Sequence, residues 1–477
     1  MTPTRMRFRV HLNDVDVAII GAGFCGSMLA LRLINRSDVR SIALIDGTGR
    51  FGAGAAYATT HSEHLLNVPA GKMSAFPEMP DHFLTWLRTN RRALGRLAGD
   101  DVQASDFVPR TTYGAYIRAL LESAPLDGEG IASVVRTASD LTVDEHGTTV
   151  WFEDGSHVRA TACVLATGNE APLDVPGISA ELKRSTVYCA DPWRTDLAKR
   201  ASKARSILLI GSGLTAIDVA LTLKSANPEA AIHMISRHGR LPRPHVAIEP
   251  RTVDLSKLLG ARSIVEASRS LRASIDAAAE DGADWRCVID ALRPHTHGIW
   301  RGMDPVSRRR FLRHARSLWE IHRHRIAPSV DGSIRGMLSS GSLCVRSGRI
   351  IDSTARSGQA VVSYQRGDGR LAKLESDCVV NCSGPATDLR RSPSALWRNL
   401  IGRGIVRPDA LGLGLDTDDR GAVVDSNGHA SHWLFALGGL RRPDLFESTA
   451  VPELRQQVKD LAILLQPANA ALSALPA

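Results

Sequence analysis

Two short glycine-rich segments constrain this chain more than any other feature. Gly21-Ala22-Gly23-Phe24-Cys25-Gly26 and Gly211-Ser212-Gly213-Leu214-Thr215-Ala216 each stand between an apolar, β-rich run and a segment of helical periodicity. In a G-x-G-x-x-G/A turn joining a strand to a helix, the first glycine makes the tight turn and the second lets the backbone approach a pyrophosphate. The third position must be small so that helix and strand pack closely. The helix start adds unpaired N–H groups and the positive end of a dipole. One match is a weak signal, but two in this context predict an α/β fold with two Rossmann-like dinucleotide-binding domains.

The surrounding sequence repeats as well. In the first copy a strand at 15–20, the turn, a helix at 27–35 and a strand at 41–46 are followed by a hairpin at 141–158 and a strand at 162–168 ending in Gly168. The second copy has a strand at 206–210, a helix at 217–226, a strand at 231–236, a hairpin near 361–374 and a strand at 378–384. Two insertions interrupt the plan. Residues 52–123 carry turns and short helices at 81–91 and 112–121, and residues 252–327 read as mainly helical. Pro-rich and charged stretches near 171–205 and 385–420 mark linkers. The expected organisation is a first domain over 1–185, a second over 200–385, and a return to the first over 400–477.

What each turn holds is read from the residues downstream. Asp46 lies 25 positions past Gly21, at the end of the second strand, where a carboxylate accepts both hydroxyls of a ribose. The same count from Gly211 reaches Ser236, followed by Arg237, a hydroxyl and a guanidinium suited to a ribose 2′-phosphate. The second site is therefore expected to take NADPH. Near the carboxyl end, residues 434–437 form an apolar strand running into Gly438 and Gly439, and a helix is expected from Thr449 to about 465 with Pro452 and Glu453 in its first turn. Two-dinucleotide flavoproteins end this way, the helix start facing the flavin pyrimidine, which assigns FAD to the first site. The acid usual after that strand is replaced by Gly439.

The chain has a formal charge of +9. The densest basic stretch, 308–325, alternates with Phe311, Leu312, Ala315, Leu318 and Trp319 at helical spacing and reads as the solvated face of an amphipathic helix. With no accompanying motif it argues against a nucleic-acid partner. Seven scattered cysteines, with no CxxC and no paired metal spacing, fit a reducing cytoplasm and no metal. No stretch has the uninterrupted apolar length of a membrane span, so no membrane partner is expected.

At these residues the chain resembles the FAD/NAD(P)-binding family that includes bacterial FAD-dependent urate hydroxylase and an aspartate N-monooxygenase. The resemblance rests on the glycine turns and on residues 64–77 (HLLNVPAGKMSAFP), 107–110 (FVPR), 319–325 (WEIHRHR) and 447–455 (ESTAVPELR). It is more distantly similar to the ornithine and lysine N-hydroxylases, in which an amide side chain and, five positions on, a Lys sit near flavin and substrate. Asn67 and Lys72 match that spacing. Both stand among Leu66, Val68, Pro69 and Met73, which predicts that at least one is buried for use. The bland alternative is a capped turn and a snorkelling Lys. Arg110, just before a helix, either holds an anionic group or caps its loop. His61, His64 and His82 are weaker acid–base candidates.

No Cys lies between Asp46 and Cys163, where disulfide reductases of this architecture carry their redox pair, so electrons leaving the flavin must reach an external acceptor. The resemblance implies molecular oxygen. NADPH reduces FAD, oxygen adds at flavin C4a, and one oxygen atom passes to a small polar nitrogen-containing metabolite. The alternatives left open are an NAD(P)H-dependent reductase serving an electron acceptor, and a non-catalytic redox sensor.

Overall fold

The computed structural model describes residues 14–34, 39–90, 102–124, 130–249 and 251–465. Asn35 and Arg91, at the expected ends of two helices, lie outside these residues. The chain divides into two compact units. The first comprises Met1–Thr60, Pro69–Glu170 and Thr387–Ala477, and the second His61–Val68 and Ala171–Ala386.

The first unit is built on a sheet whose strands are β1 (Asp14–Ile20), β2 (Ile42–Ile45), β3 (Ile131–Val134), β4 (Ala138–Asp144), β5 (Gly147–Phe152), β6 (His157–Leu165), β14 (Ala422–Val424) and β15 (Ala430–Ala436). Its order is β14-β15-β6-β1-β2-β3, with β5 and β4 continuing from β6 as an antiparallel meander. β1, β2, β3, β6 and β15 are parallel. β1 is buried from Val17 to Ile20 because a central parallel strand is covered on both faces, so an unbroken apolar run suits it. The helix Phe24–Ile34 buries Met28, Leu29 and Leu33 completely and packs against the helix Val451–Leu464. Trp397, from the helix Ala395–Gly402, joins Leu141, Val150 and Leu165 in the core.

The second unit repeats the arrangement. Its strands are β7 (Tyr188–Cys189), β8 (Ser206–Ile210), β9 (Ala231–Ser236), β10 (Leu343–Arg356), β11 (Gln359–Arg366), β12 (Leu371–Ser376) and β13 (Cys378–Asn381), in the order β12-β11-β10-β9-β8-β13-β7. β8 lies between β9 and β13 as β1 lies between β2 and β6. Each sheet thus reverses strand order beside β1 or β8, and the carboxyl ends of the strands at such a reversal are where open α/β sheets bind ligands. The equivalence extends to atoms. A Cβ built on Gly21 would fall 2.2 Å from the carbonyl oxygen of Ala166, and one on Gly211 would fall 2.3 Å from that of Cys382. The 14-residue β10, which pairs with β9 at one end and β11 at the other, was not among the expected strands.

The insertion expected over 252–327 is helical, with its longest helix at Ile264–Glu280. The single amphipathic helix expected over 308–325 is corrected in two respects. It is broken by a π-turn at Phe311–Ala315, between helices Pro305–Arg310 and Arg316–Arg323. Its basic face is also not wholly solvated, since Arg323 and Arg325 are buried, Arg325 pairing with Asp290 and lying 6.0 Å from the ring centre of Trp285.

Candidate dinucleotide and substrate sites

In the first glycine turn the three glycines meet three different surroundings. Gly21 has φ +109°, a left-handed conformation that suits glycine, and is packed against β6. A Cβ on Gly26 would fall 1.9 Å from the carbonyl oxygen of Gly21 and 3.1 Å from the Ile19 side chain, so that position closes helix on strand. Gly23 differs, because a Cβ there would meet only the α-carbon of Gly54, at 3.6 Å. The second turn follows suit. Gly211 has φ +126°, nothing lies within 4 Å of a Cβ on Gly213, and Ala216 is fully buried. The middle glycine of each turn is therefore the one with open space where a side chain would stand. Both helices are long enough for their first turns to present unpaired N–H groups, at Phe24 and Cys25 in one and at Leu214 and Thr215 in the other.

Asp46 stands where β2 ends, half-buried. Its Oδ1 accepts from the N–H and hydroxyl of Thr48 at 2.8 and 2.6 Å. Among the described residues Oδ2 accepts no hydrogen bond, leaving an oxygen for a ribose. Cys25 is a thiol rather than a thiolate, since burial pushes it up to about 12. It lies 3.2 Å from a Cβ built on Gly438, which takes φ +70° at the end of β15 and donates its N–H to Gln457 Oε1 at 3.1 Å. Gly168, φ +74°, is exposed beyond β6. Thr449 is exposed just before the helix Val451–Leu464, which begins with Pro452 and Glu453 in its first turn.

In the second unit the Ser236 hydroxyl lies 2.8 Å from that of Ser212 and accepts the N–H of Gly239 at 3.0 Å, while Ser212 donates to the Arg240 carbonyl at 2.6 Å. Ser236 thus shapes the loop that presents Arg237. Arg237 is exposed, with its carbonyl held by the Ser347 hydroxyl at 3.0 Å and no hydrogen-bond or ion-pair partner for its guanidinium among the described residues. Slight burial, then Arg240 and Arg237, lower the pKa of His238, as a locally positive loop would. Arg240 reaches Ser317 at 3.2 Å.

Asn67 and Lys72 fall in different units, Asn67 in the second and Lys72 in the first. Asn67 is half-buried, and its carbonyl accepts from His245 Nε2 at 3.0 Å. Burial and then the Arg325 guanidinium push His245 down to about 4, so the ring is neutral and donates. His64 is a structural residue: its buried Nε2 lies 2.8 Å from Thr222 Oγ1 and 3.1 Å from the Asp218 carbonyl, seating the strip His61–Val68 on the helix Leu214–Ala226. Lys72 ends the short turn Ala70–Lys72 and is exposed, while Met73, Ser74 and Ala75 behind it are buried. That turn is fastened by Ala70 N–H to the Asp106 carbonyl, Gly71 N–H to Ala104, and Arg455 to the Ser74 carbonyl at 2.8 Å. His82 is held by the Tyr116 hydroxyl at 2.7 Å, and Arg110 is half-buried at the start of the helix Arg110–Glu122. Sequence reasoning missed His245, since no motif sets it apart from other basic residues, and it placed Arg455 only at the end of the 447–455 string, without a role.

All seven cysteines are unpaired. Among the described residues no cluster of potential ligands is arranged to hold a metal, and no helix is long and apolar enough to cross a membrane.

Residues 18–170 match a protein-family model described as FAD-NAD(P)-binding. Comparison with curated proteins gives no match. Among solved structures, the chain is similar to L-lysine 6-monooxygenase from Pseudomonas syringae, with a TM-score of 0.64 and 16% identity over 95% of this chain and 99% of that one. It is also similar to the FAD-bound cadaverine monooxygenase of desferrioxamine biosynthesis from Erwinia amylovora, with a TM-score of 0.63 and 14% identity over 96% and 95% of the two chains. A bacillithiol disulfide reductase from Bacillus cereus matches with a TM-score of 0.54 and 14% identity over 96% and 100%. At such identities the likeness establishes the fold, which is that of two-dinucleotide-binding flavoproteins.

Proposed function

We propose that this chain is an FAD-dependent, NADPH-using monooxygenase that hydroxylates a small, polar, nitrogen-containing metabolite, in the manner of the N-hydroxylases it resembles. The observation that carries the reading is the pair of equivalent turns, each packed at its first and third positions and open at its second. FAD fits the first unit, whose turn is followed by the free carboxylate oxygen of Asp46 and whose sheet is completed by a glycine-ended strand and a helix start. NADPH fits the second, where Arg237 is the cation for a 2′-phosphate.

When bound, FAD supplies hydride acceptance from NADPH and the activation of oxygen. The chain supplies the rest. The helix starts at Phe24 and Leu214 would hold the two pyrophosphates, and Asp46 would hold the adenosine ribose of the flavin. The first turn of the helix Val451–Leu464 would offer its dipole to stabilise negative charge on the flavin. Lys72, a cation on a fastened turn, anchors an anionic or electron-rich substrate, and Asn67 offers a carboxamide for substrate or cofactor. The finer resemblance to urate hydroxylase and aspartate N-monooxygenase makes urate and acidic amino acids the first substrates to try.

The disulfide-reductase neighbour supports a second reading, in which NADPH electrons pass to an acceptor without oxygen transfer. With all seven thiols unpaired and Cys25 strongly protonated, that acceptor is external to the chain. The deciding experiment is a screen of urate, amino acids and small amines for substrate-stimulated NADPH consumption with detection of hydroxylated product. Hydrogen peroxide as the sole product under every condition favours the reductase, and a flavin that NADPH does not reduce refutes both.

A further inference from the structure

Gly439 stands where flavoproteins of this plan carry an acid that contacts the ribityl chain, and the structure indicates what replaces it. A Cβ built on Gly439 would lie 3.4 Å from Oδ1 of Asn169, so the carboxamide of Asn169 occupies the space beside the missing side chain. Asn169 follows β6, the strand between β1 and β15, and therefore stands beyond the carboxyl ends of the strands, where the first unit's strand order reverses. The packing close by is tight: Gly21 packs on Ala166 and Gly438 on Cys25.

Two further observations separate Asn169 from an ordinary exposed asparagine. Its neighbour Glu170 is pinned, Oε1 by the indole N–H of the buried Trp397 at 2.8 Å and Oε2 by the Ser392 hydroxyl at 2.8 Å, so the backbone at Asn169 is held in place. The Asn169 side chain itself makes no hydrogen bond to the described residues. Two residues back, the hydroxyl of Thr167 is buried and has no partner. A buried hydroxyl without a protein partner is free to pair with a bound group.

We propose that Asn169 is a cofactor-binding residue that takes up the ribityl contact of FAD from the end of the neighbouring strand, in place of the acid that Gly439 lacks. This rests on the reading of the first unit as the flavin site. A carboxamide donates and accepts, so it binds a ribityl hydroxyl without adding negative charge next to the pyrophosphate.

The test is titration of the apoprotein with FAD, followed by flavin fluorescence, and separately with ADP, which carries the adenosine half and no ribityl chain. Asn169→Ala should raise the Kd for FAD about three- to tenfold, the range for one lost neutral hydrogen bond, with ADP affinity and the melting temperature of the apoprotein unchanged. Gly439 has no left-handed φ, so a side chain is tolerated there. The double substitution Asn169→Gly with Gly439→Asp, which moves the polar group back to the other strand, should recover at least half of the lost affinity. An unchanged Kd for FAD in Asn169→Ala, or an equal loss for FAD and ADP, overturns the assignment of Asn169 while leaving the flavin site itself standing. Wild-type protein that takes up no FAD removes both.

Discussion

The asymmetry among the three glycines of the first turn gives a test that separates binding from folding. At Gly23 a new Cβ meets only the Gly54 α-carbon at 3.6 Å, an ordinary contact, and the residue has no positive φ. Gly23→Val should therefore leave the apoprotein's stability within about 1 kcal/mol of wild type, since loss of glycine's freedom in the unfolded chain offsets slight crowding by Gly54. Its effect should fall on the cofactor. Pushing the pyrophosphate away from the turn forfeits about two charge-assisted hydrogen bonds to backbone N–H groups at roughly 1.5–3 kcal/mol each, or about 10²- to 10⁴-fold in FAD affinity. Gly26→Val should do the reverse of this in its first effect. Its Cβ would fall 1.9 Å from a backbone oxygen that has nowhere to go, and overpacking of that kind costs about 3 kcal/mol or more before any ligand is considered. The assay is a thermal melt of each apoprotein by circular dichroism, paired with an FAD titration. A folded Gly23→Val protein that binds FAD like wild type refutes the placement of the pyrophosphate, and a normally stable Gly26→Val protein refutes the packing argument.

Three more outcomes are expected. Arg237→Ala should raise the KM for NADPH roughly tenfold or more and leave NADH kinetics nearly unchanged, since one charge-assisted contact is worth about 1.5–3 kcal/mol; equal effects on both nucleotides count against a 2′-phosphate role. Lys72→Ala should spare flavin content and flavin reduction but raise the substrate KM and the share of NADPH electrons released as hydrogen peroxide, and unchanged coupling would mark Lys72 as a solvated charge. His245 is held near 4, below the ordinary histidine value of about 6.5, so its neutral form favours the folded state: the stability it contributes is complete above pH 6.5 and declines as the pH falls toward 4. Between pH 7.5 and 4.5 the loss should approach about 2 kcal/mol in wild type, and His245→Asn, compared at the same two pH values, should lack that share of the slope.

The two glycine turns were legible in the sequence because the spacing of the small residues and the strand and helix flanking them carry the pattern, even though Gly21 and Gly211 pack on Ala166 and Cys382 far along the chain. Residues whose role depends on distant partners were not. Nothing in residues 61–68 announces that His64 finds Thr222, 158 positions away, or that Asn67 is met by His245. The basic run 308–325 looks solvated when its charges are counted, yet Arg325 turns inward because Asp290 and Trp285 lie there, on a different helix. β10 was missed for another reason: it mixes buried and exposed positions without clean alternation, changes partners along its length and shifts register between Ile350 and Asp352. The departure at Gly439 was visible as a loss, but the nearness of Asn169 to it required the fold.

The same strand order sets a timetable for synthesis. β15 joins its sheet beside β6, pairing Leu434 with Cys163, so the first unit waits for 271 further residues before its sheet gains that strand. At about 5–20 residues per second this is roughly 15–50 s on a ribosome. During that interval Cys163, Val164 and Leu165 form an apolar edge with unpaired backbone groups, the kind of edge that recruits other strands. The residues of the second unit, which end at Ala386, have all been made by then. The half of the protein begun first is thus the last able to close, and premature termination anywhere between 171 and 430 would release a chain with that edge bare.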